Sequence, residues 1–518
     1  MASFLSFALL FCSLFALSWI WILLNFIWLK PAKIERILKH QGITGPPYKL
    51  LFGNLKESQI LIDEALSKPI NRSHQIVKRL EPFISEVHKT YGKIALSWLG
   101  PYARVSIMDP ELVKEVLLNK FNHLEKVKIN PLIELVAPGV ALLDGEKWAT
   151  HRRIINPAFH VEKLKRMLPS FYISSYTLIE KWRKLIGPDG SCELDVWPEL
   201  HFLTADGISR TAFGSSYEDG MQIFELLNEQ GRLFAQAGQS ACIPGYRYFP
   251  TKDNHRRNEI DRRVRALLKD MIKKREKDMK MGQCTYNDLL GLLMESNLRD
   301  SQEQGRTSSS LSMTIEDVIE ECKLFFFAGQ ETTAVLLTWT VIVLSMHPEW
   351  QDRAREEVLQ FFGKAEPDID GLNNLKTVTM ILYEVLRLYP PVTFLVRSVL
   401  QETTIGGINF PSGVVLTLQT LHLNRDPGWW GDDAEEFKPE RFAGGIAQAC
   451  KNQGAFVPFG FGPRICLGQN FAMMEAKIAL ATILRYFSFE LSPIYAHAPR
   501  AVLTHQPQHG AQIILHRF

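Results

Sequence analysis

The sequence predicts a mainly α-helical protein with small β-sheets, one large body carried behind a single N-terminal membrane-spanning helix. Three observations predict it. Ser3 to Leu29 is almost wholly apolar and holds no charged residue, long enough to cross a bilayer core as a helix. Apolar residues recur at helical spacing over long stretches, at Ile260, Val264, Leu267, Leu268, Met271 and Ile272 and again from Thr314 to Met346. Strand-like segments are short, as around Gly100-Pro101 between Ile94 and Ile107.

The run at 3–29 is too long for a cleaved signal peptide and has no basic residue ahead of it. Lys30, Lys33, Arg36 and Lys39 follow it, so the positive-inside rule keeps everything after Lys30 in the cytosol. A basic, proline-rich hinge is expected over 30–50, where Gly42, Gly45, Pro46 and Pro47 end any helix. The body is expected over 51–518. On that topology the Asn71-Arg72-Ser73 sequon stays unmodified.

Of 518 residues 46% are hydrophobic and the net charge is +3, which excludes a disordered chain and gives no bulk charge for nucleic acid. The seven cysteines, at 12, 192, 242, 284, 322, 450 and 466, are odd in number and scattered, which favours a reducing, cytosol-facing compartment. The polar stretch Ser301 to Met313 is the best candidate linker, read as a surface loop. Lys252 to Lys280 carries twelve Lys/Arg against six Asp/Glu. Membrane-surface binding is one reading of it and a solvated helix face is the favoured one.

The chemistry gathers at Phe459-Gly460-Phe461-Gly462-Pro463-Arg464-Ile465-Cys466-Leu467-Gly468, with a helix expected from Asn470 to Leu484. A cysteine at a helix N-terminus feels the dipole and nearby N–H groups, which favour the thiolate that binds metal. Gly462 and Gly468 allow a tight turn and close approach to a flat cofactor. Arg464 suits a carboxylate such as a haem propionate. Cys466 alone reads as an inert buried thiol; five residue types at fixed spacing reverse that.

The Phe-x-x-Gly-x-Arg-x-Cys-x-Gly pattern resembles the haem-binding signature of the cytochrome P-450 superfamily, the haem-thiolate monooxygenases. Three further motifs fall in the order that family shows. Trp148 and Arg152 lie four apart on one helix face, like the family's Trp-x-x-x-Arg, which reaches a haem propionate. Ala328-Gly329-Gln330-Glu331-Thr332-Thr333 puts glycine and threonines in a helix interior that disfavours them. The expectation is a local opening, with room for a diatomic ligand, against a bland reading of threonine bonded to the preceding turn and Glu331 exposed. By resemblance Glu331 is the acid and Thr332 the alcohol that protonate iron-bound oxygen. Glu384-Val385-Leu386-Arg387 and Pro439-Glu440-Arg441-Phe442 match the family's Glu-x-x-Arg and Pro-Glu-Arg-Phe, which implies a buried structural network of Glu384, Arg387 and Arg441.

The resemblance implies the P450 fold and haem b ligated by Cys466. Phe459 and Gly468 would stand at the cofactor, with Trp148, Arg152, Arg397 and Arg464 at its propionates. It further implies O2 and NADPH-cytochrome P450 reductase as partners, no nucleic acid, and a single-pass site in the endoplasmic reticulum membrane. Pro390 to Arg397 would line a hydrophobic substrate pocket, and the loop Phe121 to Val140 would carry selectivity. Leu388-Tyr389-Pro390-Pro391 and Pro507-Gln508-His509-Gly510 look like the plant clan of secologanin synthase and the brassinosteroid- and gibberellin-inactivating hydroxylases. That suggests hydroxylation of a terpenoid, steroid or plant-hormone-like molecule. A fatty-acid hydroxylase is the rival within the class and a non-catalytic haem protein the rival outside it.

Overall fold

The structure, a computed structural model, describes residues 2–119, 122–127, 130–238, 245–281, 288–303, 313–363 and 365–518. Most of the expected linker at 301–313, Phe121 and positions 128–129 of the expected selectivity loop, and Cys242 and Cys284 lie outside them. Among the described residues Cys12, Cys192, Cys322, Cys450 and Cys466 are free thiols.

Helix Ala2–Leu24 passes through one π turn, Asn25–Leu29, straight into helix Lys30–His40. The helical run Leu9–His40 is long and apolar enough to cross a membrane; its most apolar 18 residues have a mean hydropathy of 2.1 and none of them is buried. Phe11, Trp19 and Trp21 stand exposed along it, a contiguous apolar surface that water does not tolerate. The expected hinge differs from the sequence reading in its first half. Lys30–His40 is helical and sets Ile34 and Leu38 into the sheet-side core. The chain breaks only after it, at Gly42 (φ 81°), and is then pinned: Leu96 donates to the Thr44 carbonyl at 2.9 Å. A side chain on Gly45 would overlap the Leu96 carbonyl.

The main sheet has five strands in the order Ile94–Leu99, Tyr102–Ile107, Val415–Leu418, Leu395–Val399 and Leu124–Glu125. The Ile94/Ile107 hairpin is antiparallel, the Arg104/Val415 pairing parallel, and Leu395 faces Leu418 antiparallel. This register brings Arg397, an alternate residue of an inner strand, to its buried position.

Helix Ile315–Met346 runs through the centre of the larger core. Thr314 and Asp317 form a capping box, each side chain accepting the other's backbone N–H, which satisfies donors a helix start leaves open. At the far end Pro348 has no N–H to continue the ladder and opens the next helix, Pro348–Phe362. The expected opening at Ala328–Thr333 does not interrupt this helix. Gly329 is small for another reason: a Cβ there would come within 2.8 Å of the Ile208 side chain on helix Val196–Phe213. The glycine is a packing contact between two helices. Thr204 of the same neighbour donates to the Gln330 carbonyl at 3.0 Å.

The basic helix Lys252–Lys280 buries Ile260, Val264, Leu268 and Ile272 in the core and turns most of its charges outward. Two point in: the buried Arg257 donates to the Leu233 carbonyl at 2.6 Å, and Asp261 receives the buried Lys323 of the central helix at 2.6 Å.

Candidate active site

The cysteine turn is fixed by its own backbone. Cys466 N–H donates to the Phe459 carbonyl at 2.8 Å, closing the loop. Gly460 (φ 77°) and Gly462 (φ 72°) hold it in the left-handed region, where a side chain is strained. A Cβ on Gly462 would also press on the Leu117 carbonyl at 2.9 Å. Gly468, by contrast, has a φ of −86°, a conformation open to any residue. It opens helix Gln469–Tyr486, and its N–H points at the Cys466 sulfur.

Cys466 is exposed to a water-sized probe although protein encloses it, so its sulfur lines an internal chamber and not the outer surface. That enclosure pushes the thiol pKa up; the Gly468 N–H and the Arg152 charge pull it back only in part. The dipole argument for a ready thiolate is therefore outweighed by desolvation. A metal arriving here displaces the proton as it binds.

Helix Gly145–Ile155 stands beside the turn. Arg152 donates to the Ile465 carbonyl at 2.7 Å. Arg464 pairs with Asp144 at 2.6 Å, donates to the Leu143 carbonyl at 2.8 Å, and lies 4.4 Å from the Trp148 ring centre. Trp148, Arg152, Arg464 and Cys466 are thus brought together. Arg397 joins them electrostatically: burial, then Arg464, lowers its pKa to about 10. Among the described residues its guanidinium donates only to the Val396 carbonyl, at 2.8 Å.

Sequence reasoning missed two members. Asp144 holds Arg464 and accepts the Lys126 backbone N–H at 3.2 Å; an aspartate just before a helix was the available signal. Lys126 had none. Burial, with Arg397 and Arg464 nearby, lowers its ammonium pKa to about 7. A chamber walled by Lys126, Arg152, Arg397 and Arg464, with Asp144 the carboxylate that pairs with Arg464, fits a flat dianionic group ligated by a thiolate. Haem b has that chemistry.

On the central helix Phe327, Ala328 and Gly329 are partly exposed, and so is Thr332, between the buried Glu331 and Thr333. Thr332 donates to the Ala328 carbonyl at 2.8 Å, the bond the bland reading described. Glu331 is not exposed as that reading had it. It is buried, accepting from Thr504 and, at 2.6 Å, from Gln506, with His201 at 3.7 Å. Glu331 and Thr332 are not bonded to each other.

Glu384 and Arg387 form a two-pronged pair at 2.7 and 2.8 Å with no exposure of either. Arg387 also donates to the carbonyls of Asn424, Ala434 and Glu436. Glu384 accepts the Lys438 N–H at 2.9 Å and has Arg441 Nε at 3.5 Å. Arg441 is secured by Asp433 at 2.7 Å.

A helical body built on a central helix and a cysteine turn at a cation-walled chamber define the class, a thiolate-ligated haem enzyme. The chain belongs to the cytochrome P450 family, whose model matches residues 69–509. Its similarity within the family is to plant CYP72A members. It is 58% identical over 495 residues to cytochrome P450 CYP72A616 of Paris polyphylla, covering 95% of each chain. It is 54% identical to cytochrome P450 72A397 of Kalopanax septemlobus and 50% identical to cytochrome P450 72A15 of Arabidopsis thaliana, each over 96% of both chains. The plant-clan resemblance read from its motifs agrees with these relatives.

Proposed function

We propose that this P450 monooxygenase hydroxylates a hydrophobic small molecule of terpenoid, steroid or plant-hormone type, using O2 and electrons passed from NADPH by a membrane-bound reductase. The carrying observation is the enclosed, accessible sulfur of Cys466 beside a cluster of cations, Arg397 buried and Lys126, Arg152 and Arg464 partly so, with few carboxylate partners. In this reading residues 3–29 anchor the protein in the endoplasmic reticulum membrane, and the basic residues after them keep the body on the cytosolic side.

When bound, haem supplies the oxygen-activating chemistry, with the thiolate pushing electron density towards the iron. The chain supplies placement and protons. Cys466 would ligate the iron, and Trp148, Arg152, Arg397, Arg464 and Lys126 would hold the propionates. An anion among these cations restores the Lys126 charge that burial disfavours. Thr332 stands on the partly exposed face of the central helix. Its donated hydrogen goes to Ala328, so its oxygen lone pairs face outward to accept a proton-donating partner and pass a proton on. Glu331 is the candidate source, held by Thr504 and Gln506 until it swings or relays. Val392, Phe394 and Leu395 are exposed or partly so and would give the substrate an apolar wall.

The test is co-expression with a plant reductase and incubation of the microsomes with terpenoids, steroids, gibberellins and fatty acids, with products read by mass spectrometry. The expected product carries one added oxygen, needs NADPH, vanishes in Cys466→Ser and falls at least about 100-fold in Thr332→Ala, as loss of a proton-transfer group does. Turnover of fatty acids alone would overturn the substrate class.

A further inference from the structure

Trp339 lies seven residues beyond Thr332 on the central helix, two turns along the same face and about 10 Å further on. It is fully buried, and its ring stacks on Tyr389 at 4.6 Å and 19°. The Tyr389 hydroxyl, also buried, lies 2.8 Å from His74 Nδ1. His74 Nε2 is 3.0 Å from His347 Nε2, and His347 Nδ1 is 3.4 Å from the exposed Glu349 carboxylate.

Two hydrogen bonds thus lead outward from a buried phenol, with an exposed carboxylate 3.4 Å beyond them, and one direction satisfies every group. A carboxylate only accepts, so His347 carries its proton on Nδ1 and presents a bare Nε2. His74 therefore donates from Nε2 and accepts at Nδ1, where the Tyr389 O–H points. Burial lowers the His74 pKa to about 3, so the ring stays neutral and can only relay, taking a proton at Nδ1 as it releases one from Nε2. A cavity of about 500 Å³ lined by Arg72, His74, Ser345, His347 and Glu490 opens over the histidine pair. Anchoring one tyrosine hydroxyl needs a single acceptor; two linked histidines ending beside a surface carboxylate suit proton movement.

We propose that Trp339 and Tyr389 form an escape route for oxidising equivalents, with His74, His347 and Glu349 as the matching proton route. This rests on the monooxygenase reading of the chamber. When the haem that this chamber would hold has been oxidised, by a peracid or in turnover with O2, and no substrate is present, Trp339 would give up one electron and be refilled from Tyr389. The Tyr389 O–H bond breaks, its proton binds His74 Nδ1, the His74 Nε2 proton passes to His347, and the His347 Nδ1 proton passes to Glu349 and water. A neutral tyrosyl radical remains. A soluble one-electron reductant of the ascorbate type, reaching the Arg72 cavity, returns the electron as the proton chain runs back.

The experiment mixes the haem-loaded full-length enzyme, free of substrate, with a peracid and freezes it within milliseconds for electron paramagnetic resonance. Ring-deuterated tyrosine is incorporated to mark the carrier. The expected result is a radical narrowed by the label, absent in Tyr389→Phe and formed at least tenfold more slowly in Trp339→Phe. His74→Gln, which keeps an acceptor near the phenol but cannot pass a proton from one ring nitrogen to another, slows it as well. Tyr389→Phe should also bleach its haem severalfold faster during substrate-free NADPH turnover. An unlabelled radical, or an unchanged signal and bleaching rate in Tyr389→Phe, overturns the route. A reduced carbon-monoxide spectrum lacking the thiolate form in the wild type would instead overturn the reading beneath it, and the route with it.

Discussion

Two clusters of cations lie in this molecule and are built on opposite terms. Around Glu384, every arm of Arg387 has an acceptor, and Arg441 is closed off by Asp433 and the Trp430 carbonyl. Around Cys466, the partly exposed Lys126 and the buried Arg397 stand beside like charges, and desolvation pushes both towards losing their protons. The residue types are similar; the pairing is not. A satisfied network holds a fold together, and a cluster short of acceptors is shaped for an anion that comes from elsewhere.

The sharpest way to break that contrast is Glu384→Ala. It strands two guanidinium groups in the core and should cost about 3–5 kcal/mol, enough to abolish folded, haem-loaded protein. Near-normal thermal stability of that variant would show that the pairing there is dispensable. Arg397→Leu should behave in the reverse way. The haem-free chain should lose no stability, since a buried repulsive charge is gone, while haem retention should weaken roughly 10–100-fold, the worth of one charge-assisted bond of about 1.5–3 kcal/mol. Stability by calorimetry and haem release to apomyoglobin separate the two effects.

The smallest effect concerns pH. The Lys126 pKa in the fold, about 7, lies below the roughly 10.4 of an unfolded lysine. Between these values the unfolded chain binds more protons than the folded one, so haem-free stability should rise as pH climbs from about 7 to about 10. Lys126→Met should flatten that rise. Loading haem should flatten it too, because an anion returns the lysine to its charged form. A slope unchanged by both would remove Lys126 from the cluster.

Much of the site could be read in the chain because its geometry is local. The turn from Phe459 to Gly468 is closed by bonds within itself, the Trp148 and Arg152 spacing is one helical turn, and the capping box at Thr314 and Asp317 spans three residues. What escaped reading depends on partners far away in sequence. Gly329 looked like room for a ligand, but Ile208 fills it. Glu331 looked like the partner of Thr332, but Thr504 and Gln506 hold it from the far end of the chain. The helix-end argument gave Cys466 a low pKa, yet enclosure by the folded body raises it.

By itself, then, the sequence determined the helices, the apolar N-terminal run, the cysteine turn and the family, since backbone hydrogen bonds, side-chain periodicity and glycine conformation act over a few residues. The tertiary structure alone decided which charges are paired, which glycine is a contact, and how Tyr389 is joined through His74 and His347 to solvent. Burial, desolvation and long-range hydrogen bonding exist only once distant segments meet, and they set the protonation on which the chemistry depends.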